Sequence, residues 1–340
     1  MTPAVSVVMT VYNDGPYVRE AVSSILAQTL SDFELVIVDD GSIDDSVAII
    51  ETFNDPRIRI VHQENAGLPA ALNRGIEEAR GRYIARHDAD DVSDPERLAR
   101  QFEMLERDPD LVLLGTNALL TEETGETVTE TTTPADDTAL RAALRDERLR
   151  NPFVHGSVMF RRDAVLAAGG YRRQFRFAQD FDLWLRLKDR GRIGNLREPL
   201  YRWRLRRGAV GTTRFVDQLE YARLALRCAQ HRERGAAEPL IELPERPAAV
   251  RGVLALRSAP PEAAYELNLA KLYLARGKHT EARRHALRAI RLGPLNVYSW
   301  VLGLLTLLPH ETAQRMWTRL RKLYRRILWW RKPMNGGEPH

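Results

Sequence analysis

At 340 residues the chain exceeds one typical compact domain and predicts a large domain with a smaller companion; its 44% apolar and 29% charged residues are those of an ordinary globular protein. The single cysteine, Cys228, excludes an intramolecular disulfide and fits a reducing compartment. No apolar run reaches the roughly 18–20 residues of a membrane span: the nearest, Leu295 to Leu308, is too short and contains Asn296.

Met1-Thr2-Pro3 lacks the basic start of a signal peptide. Val5 to Val11 reads as a buried strand, and Gly15-Pro16 opens a helix through Gln28 with proline in its first turn. Phe33 to Val38 is a second strand, followed by Asp39-Asp40-Gly41-Ser42 and a helix over Val47 to Phe53. Ile58 to His62 is a third strand, and Gly67 begins a helix that runs to Ala79, before the stop at Gly81. Tyr83 to Arg86, a helix over Pro95 to Arg107 and the strand Leu111 to Gly115 continue the alternation. Strands alternating with helices build βαβ units, so the fold class is α/β with a mostly parallel sheet. Ligands of such sheets bind beyond the carboxyl ends of the strands. The chain places Tyr12-Asn13-Asp14, Asp39 to Ser42, Glu64 to Gly67 and His87 to Asp91 there.

The stretch Arg86-His87-Asp88-Ala89-Asp90-Asp91 packs three carboxylates into four residues, which raise one another's pKa unless a cation or solvent separates them. Two readings stand side by side. One is a solvated acidic turn, with Asp91 or Asp94 capping the helix near Pro95-Glu96. The other is a site of oxygen ligands for Mg²⁺ or Mn²⁺, which in turn holds a phosphate. Further along, Thr121 to Asp137 reads as an exposed hairpin or loop, Thr138 to Leu149 as a helix, and Ser157 to Phe160 as a strand. Phe177 to Leu187 starts an amphipathic helix with Asp180 in its first turn, where the helix dipole favours a carboxylate whether it caps or reacts.

Val5-Ser6-Val7-Val8-Met9-Thr10-Val11-Tyr12-Asn13, Val38-Asp39-Asp40-Gly41-Ser42, Asn65-Ala66-Gly67, Asp88-Ala89-Asp90-Asp91 and Gln179-Asp180-Phe181-Asp182-Leu183-Trp184 occur in the order and spacing of family 2 glycosyltransferases. Over about residues 4 to 210 the chain resembles these inverting enzymes of the GT-A fold. The resemblance implies that Thr10, Tyr12 and Asp40 hold the nucleoside, Asp40 at the base edge and Tyr12 as a stacking face, with Asp39 and Asn65 lining the same pocket. It implies Asp90 as the direct Mn²⁺ or Mg²⁺ ligand, Asp88 acting through water or the ribose, and Asp180 as catalytic base. His155 matches a family histidine near the site and equally fits a hydrogen-bonded structural residue. Gln179 stands where the family usually has Glu. The Gln-x-x-Arg-Trp motif of processive synthases is missing after Asp180, Arg202-Trp203-Arg204 being a partial echo, so the expected enzyme adds one sugar.

After Arg234 the composition shifts, and Pro239, Pro244, Pro247, Pro260 and Pro261 mark a linker-like passage. Ala263 to Gly277 and His279 to Leu292 form a helix–turn–helix at tetratricopeptide-like spacing, and Val297 to Leu308 is a further helix. From Gln314 to Lys332 eight basic residues occur without an acidic one, interleaved with Met316, Trp317, Leu320, Leu323 and Tyr324. That pattern fits an interfacial helix on an anionic membrane, or a packed helix with a solvated basic face. No nucleic-acid-binding motif accompanies it, which argues against a nucleic-acid partner.

The expected organisation is a GT-A catalytic domain over 1–234, a helical appendage over 235–310 and a basic amphipathic tail over 311–340. The expected activity is transfer from a nucleotide-sugar, a UDP-sugar above others, to a glycan or lipid-linked acceptor in bacterial surface-polysaccharide assembly, in the cytoplasm or on the cytoplasmic face of the membrane. The alternative is a non-catalytic nucleotide-sugar-binding scaffold that recruits partners through its helical tail. A nucleotidyltransferase would want a glycine-rich basic phosphate loop after the first strand, and Val11 to Gly15 supplies none.

Overall fold

The computed structural model describes residues 2–146, 149, 151–207, 214–239 and 260–329. The chain divides into two compact units. The first, described to residue 205 and again over 214–239, is built on a sheet. Seven-residue strands β1 (Val5–Val11) and β2 (Phe33–Asp39) are buried at every position, as expected for parallel strands covered on both faces. Helices α1 (Gly15–Leu26), α2 (Ser46–Glu51) and α3 (Leu68–Glu78) follow β1, β2 and β3 (Ile58–His62), and β4 (Tyr83–Asp88) completes a parallel set in the order β3-β2-β1-β4. Val18, Val22 and Ile25 of α1 pack with Val7, Met9 and Leu35 on one side of the sheet.

Beyond β4 the sheet is mixed, where the sequence pattern predicts mostly parallel pairing. After β5 (Val92–Ser93) and α4 (Arg97–Arg107), strand β6 (Leu111–Thr121) runs six residues further than expected and makes a hairpin with β7 (Thr127–Glu130). After α5 (Asp137–Arg145), a single 3₁₀ turn (His155–Ser157) leads into β8 (Met159–Arg161), which lies antiparallel between β4 and β6. Helices α6 (Arg162–Ala167) and α7 (Gln179–Leu187) precede β9 (Arg192–Arg204), which pairs parallel with β6 and antiparallel with β5. Helix α8 (Phe215–Glu233) packs on α7, and Trp184, Phe181, Leu185, Ala225 and Cys228 share one core. Neither β9 nor α8 is among the elements the sequence pattern predicts.

The second unit, described over 260–329, is helical. Helices α9 (Pro261–Ala275) and α10 (His279–Leu292) form the expected hairpin through Ala263, Leu269, Ala270, Ala282, Ala286 and Ala289, all fully buried. Small residues let the two backbones approach closely. A buried hydrogen bond, Glu266 to His285 Nδ1 at 2.7 Å, lies beneath the stacked ring of Tyr273. Helices α11 (Val297–Leu305) and α12 (His310–Trp329) follow. Ala313 and Trp317 of α12 turn inward, Trp317 meeting Tyr298 at 5.6 Å between ring centroids. Most of the proline-rich passage expected as a linker lies outside the described residues. No helix among the described residues is long and apolar enough to cross a membrane.

Candidate active site

The register of the parallel strands brings the polar residues to one edge: Thr10 pairs with Val38 and with Asp88, Val11 with Asp39, and Asp39 with His62. Tyr12, just past β1, is half exposed and presents an open ring face, while Thr10 is nearly buried beside it. Asp39 accepts from the Ser42 N–H at 2.9 Å and pairs with His62 Nδ1 at 3.1 Å. Asp40 is held more fully. Its Oδ1 accepts from Gln63 Nε2 at 2.7 Å and the Ala66 N–H at 2.9 Å, and its Oδ2 from the Gly67 N–H at 3.0 Å. Gly67, at φ +83°, supplies the left-handed turn that aims that N–H. Three of a carboxylate's roughly four acceptor positions are thus taken by the chain. Asn65 is exposed on the same loop. A cavity of about 250 Å³ lies along it, lined by Gln63, Glu64, Ala66 and Asn73.

The acidic turn separates its three carboxylates by environment. Asp88 Oδ1 is held at 2.5 Å by the Nη2 of Arg86, a fully buried guanidinium, and Asp88 remains about a third exposed. Asp90 is partly exposed, and its carbonyl accepts from Arg204 Nε at 2.9 Å. Asp91 is buried, and Oδ1 accepts from the Arg204 N–H at 2.8 Å. Burial first, then the charges of Asp90 and Asp88, hold its carboxyl well above the usual carboxylate range. The capping role expected of Asp91 is therefore not what the structure shows: it faces Arg204 of β9, and it is Asp94 that accepts from the Glu96 N–H ahead of α4.

Beneath the turn lies a buried polar layer that the sequence does not announce. Tyr201 Oη accepts from the Asp88 N–H at 3.1 Å and also engages Asp91. Arg97, fully buried, donates from Nη1 to the carbonyls of Arg86 at 3.1 Å and Gly156 at 3.2 Å, and its guanidinium lies over the Tyr201 ring. Burial lowers its pKa to about 10, so it stays cationic at neutral pH. His87, wholly buried, is pushed well down by burial and by Arg97 and Arg86, so it is neutral. A Cβ at Gly156 would come within 2.0 Å of Tyr201 Oη and 2.6 Å of Asp88 Oδ2. Only glycine fits there.

Across from these groups stands the first turn of α7. Ala178, at φ +53°, turns the chain into the helix. Asp180 then accepts from Asn151 Nδ2 at 2.6 Å and from the Phe181 N–H at 2.8 Å. Burial, with a smaller contribution from the charge of Asp88, raises its carboxyl to about 6. His155 Nε2 and Tyr171 Oη share a hydrogen bond at 2.9 Å. Burial, then the charge of Arg86, lowers His155 to about 3 and keeps it neutral. The charge of Asp88 acts on Asp180, His155 and Tyr171 alike, so all three lie within electrostatic reach of the acidic turn. Gln179 is buried beside Asp180 and brings no second carboxylate. Asp182, two residues on, belongs elsewhere: Arg172 and Arg186 grip it, Arg186 Nη2 at 2.7 Å.

Among the described residues no three His, Cys, Asp or Glu side chains form a complete metal cage. The donor set still suits Mg²⁺ or Mn²⁺, since such ions are commonly held by one or two carboxylates with substrate phosphates completing the shell. The crowding of Asp88 and Asp90 onto buried Asp91 is the kind of repulsion a cation relieves.

A sheet of this topology, with acidic and amide groups at its carboxyl edge, is that of the GT-A fold. Residues 6–167 match the family model "Glycosyl transferase family 2". The chain is 35% identical over 209 residues to the O-antigen biosynthesis glycosyltransferase WbnJ of Escherichia coli, covering 59% of this chain and 79% of that one. It is 32% identical over 205 residues to the amylovoran biosynthesis glycosyltransferase AmsE of Erwinia amylovora, covering 58% and 75%. Among solved structures, the mannosyltransferase PcManGT from Pyrobaculum calidifontis, in complex with GDP-Man and Mn²⁺, superposes with a TM-score of 0.54 at 19% identity, covering 98% of this chain and 89% of that one, a likeness of fold. The chain belongs to glycosyl transferase family 2.

Proposed function

We propose that the protein transfers a single sugar, with inversion and with the help of a divalent metal, from a nucleoside-diphosphate sugar to a hydroxyl of a glycan or lipid-linked acceptor in bacterial cell-surface polysaccharide biosynthesis. The pathway reading draws on the O-antigen and amylovoran relatives. The observation that carries the chemistry is Asp180: a carboxyl that burial raises to about 6, within electrostatic reach of Asp88. A base with that pKa is ionised at neutral pH yet basic enough to take the proton of an attacking hydroxyl.

The roles are those that the family resemblance implies, and the partners of each side chain support them. Tyr12 offers the base a stacking face, Thr10 and Asp39 line the pocket with Asn65, and Asp40 meets the base edge. Asp88, oriented by Arg86, meets the ribose or a bound water. Asp90, with Asp88, would hold Mn²⁺ or Mg²⁺, and an ion there would compensate the charge that builds on the departing diphosphate. Asn151 and the Phe181 N–H orient Asp180 toward the acceptor. A UDP-sugar is the expected donor. The basic segment 311–332 is the expected contact with an anionic membrane surface.

A thermal-shift and hydrolysis screen of UDP-, GDP- and dTDP-sugars with and without Mn²⁺ tests this reading. Stabilisation and slow hydrolysis with one donor, dependent on metal, are expected. If no nucleotide stabilises the protein even with metal, the donor site is misread.

A further inference from the structure

The second unit exposes an apolar edge that its own packing does not use. Helix α11 buries Leu302 and Leu305 and turns Val297, Trp300 and Leu304 outward at helical spacing, with Leu295 ahead of it and Leu307 behind. Leu295 is 91% exposed and Leu304 63%, against at most 2% for the two buried leucines, so this is a face and not a scatter of surface residues. Both ends of the helix are internally satisfied. Asn296 Oδ1 accepts from the Tyr298 and Ser299 N–H groups, and Thr306 Oγ1 donates to the Gly303 carbonyl at 2.6 Å. Trp300 Nε1 donates to the Pro294 carbonyl at 2.9 Å, so its ring can leave water without orphaning a donor.

Charge selects the occupant. Residues 260–340 hold 15 basic and 5 acidic residues, whereas residues 1–259 are net acidic by 5. One of those five acids, Glu266, is buried against His285. Arg288 and Arg291, both exposed, lead into the α11 face, and Arg315 and Arg319 of α12 are exposed as well. Trp317 of α12 is turned into the fold. We infer that the α11 edge, Leu295 to Leu307, is the surface that seats the enzyme on an anionic lipid bilayer, with the surrounding arginines drawing it there. Apolar residues with an interfacial tryptophan enter the acyl boundary while arginines meet acidic headgroups. This deepens the membrane part of the proposed function and moves the inserting residues from the tail to α11. A protein partner would need a matching acidic groove; a bilayer needs only negative charge and depth.

The test is co-sedimentation of the full chain with vesicles of phosphatidylcholine alone and with about 30% phosphatidylglycerol, for wild type, for Trp300→Glu/Leu304→Glu, and for Leu295→Glu as a variant at a nearly free position. Wild type is expected to sediment with anionic and not with neutral vesicles, to be released as salt rises, and to lose at least about tenfold in partition in both variants at unchanged melting temperature. Equal binding by the variants refutes the α11 face. Absence of wild-type binding to anionic vesicles refutes the bilayer. A wild-type dimer that the variants convert to monomers without any vesicle binding makes the face a self-contact and also refutes it. Donor hydrolysis in solution is expected to be unaffected, so loss of hydrolysis bears on the transferase reading and loss of sedimentation on this one.

Discussion

Replacing Asp180 with asparagine removes a charge and keeps the shape, so it separates the carboxyl's chemistry from its packing. The folded chain holds this carboxyl at about 6, against roughly 3.9 in an unfolded one, a gap worth about 3 kcal/mol. Partial exposure makes that an upper figure. Below about pH 4 both states are protonated and there is no penalty. As pH rises the unfolded chain ionises first, and above about pH 6 the folded protein carries the whole cost. Asparagine never ionises and escapes it. In exchange its amide nitrogen cannot accept, so it forfeits the hydrogen bond from Asn151 or from the Phe181 N–H, about 1 kcal/mol. Asp180→Asn is therefore expected to be more stable than wild type by about 2 kcal/mol near pH 8, and the two should match near about pH 4.5. For a unit of 150–250 residues that is roughly 4–8 °C in Tm near pH 8. Thermal and urea unfolding at both pH values, with transfer measured alongside, checks it. Transfer should fall by about 10²–10⁴ while donor binding holds. A variant less stable than wild type near pH 8 refutes the raised carboxyl, and retained transfer refutes the base.

Four further outcomes are expected. Wild-type transfer should fall about tenfold per pH unit below about 6, as Asp180 is protonated, and a flat profile down to about pH 5 would count against it. Asp90→Ala should abolish the Mn²⁺-dependent part of nucleotide stabilisation and lower kcat/KM by about 10² or more; calorimetry with UDP and with Mn²⁺ reads this. Gly156→Ala should cost about 1–3 kcal/mol in urea unfolding, because the new methyl meets Tyr201 Oη and Asp88. Asp182→Ala, although only two residues from Asp180, should cost about 3–5 kcal/mol by leaving Arg186 without its carboxylate, while Arg172 keeps Glu238, with donor affinity per folded molecule unchanged.

Most of the parallel half of the sheet is legible because its signals are local. Val5–Val11 and Phe33–Asp39 are continuous apolar runs, each followed by turn chemistry, and the acidic residues sit at the strand ends where such sheets bind ligands. Asp180 is singled out by the resemblance to family 2 glycosyltransferases, since its place in the first turn of an amphipathic helix fits capping as well. The layer beneath the acidic turn is not legible. β9 reads as a loop because Arg192–Arg204 contains Gly194, Pro199 and four arginines, and its pairing with β6 is a long-range event. Yet β9 delivers Tyr201 and Arg204 to the turn. Arg86 and Arg97 are hidden for another reason: arginine is rarely fully buried unless paired, so spacing alone assigns both to the surface.

The carboxylates of this site show how far environment outweighs position in the chain. Asp88, Asp90 and Asp91 lie within four residues. Arg86 fixes Asp88 in a half-open position, Asp90 is partly exposed and gives its carbonyl to Arg204 of β9, and Asp91 is drawn inward under Tyr201 and Arg204. Asp180 and Asp182 share one helical turn, yet one faces the pocket with its pKa raised and the other is clamped by two arginines. In each pair what differs is the partner that the rest of the chain brings: a guanidinium that pins a carboxylate, or a desolvated pocket that keeps it basic. A basic carboxyl is what proton abstraction needs, and a pinned one is what a fixed ligand turn needs. The two arginines beneath the turn offset part of the crowding among its carboxylates: Arg86 pairs with Asp88, and Arg97 lies within electrostatic reach of Asp88 and Asp91.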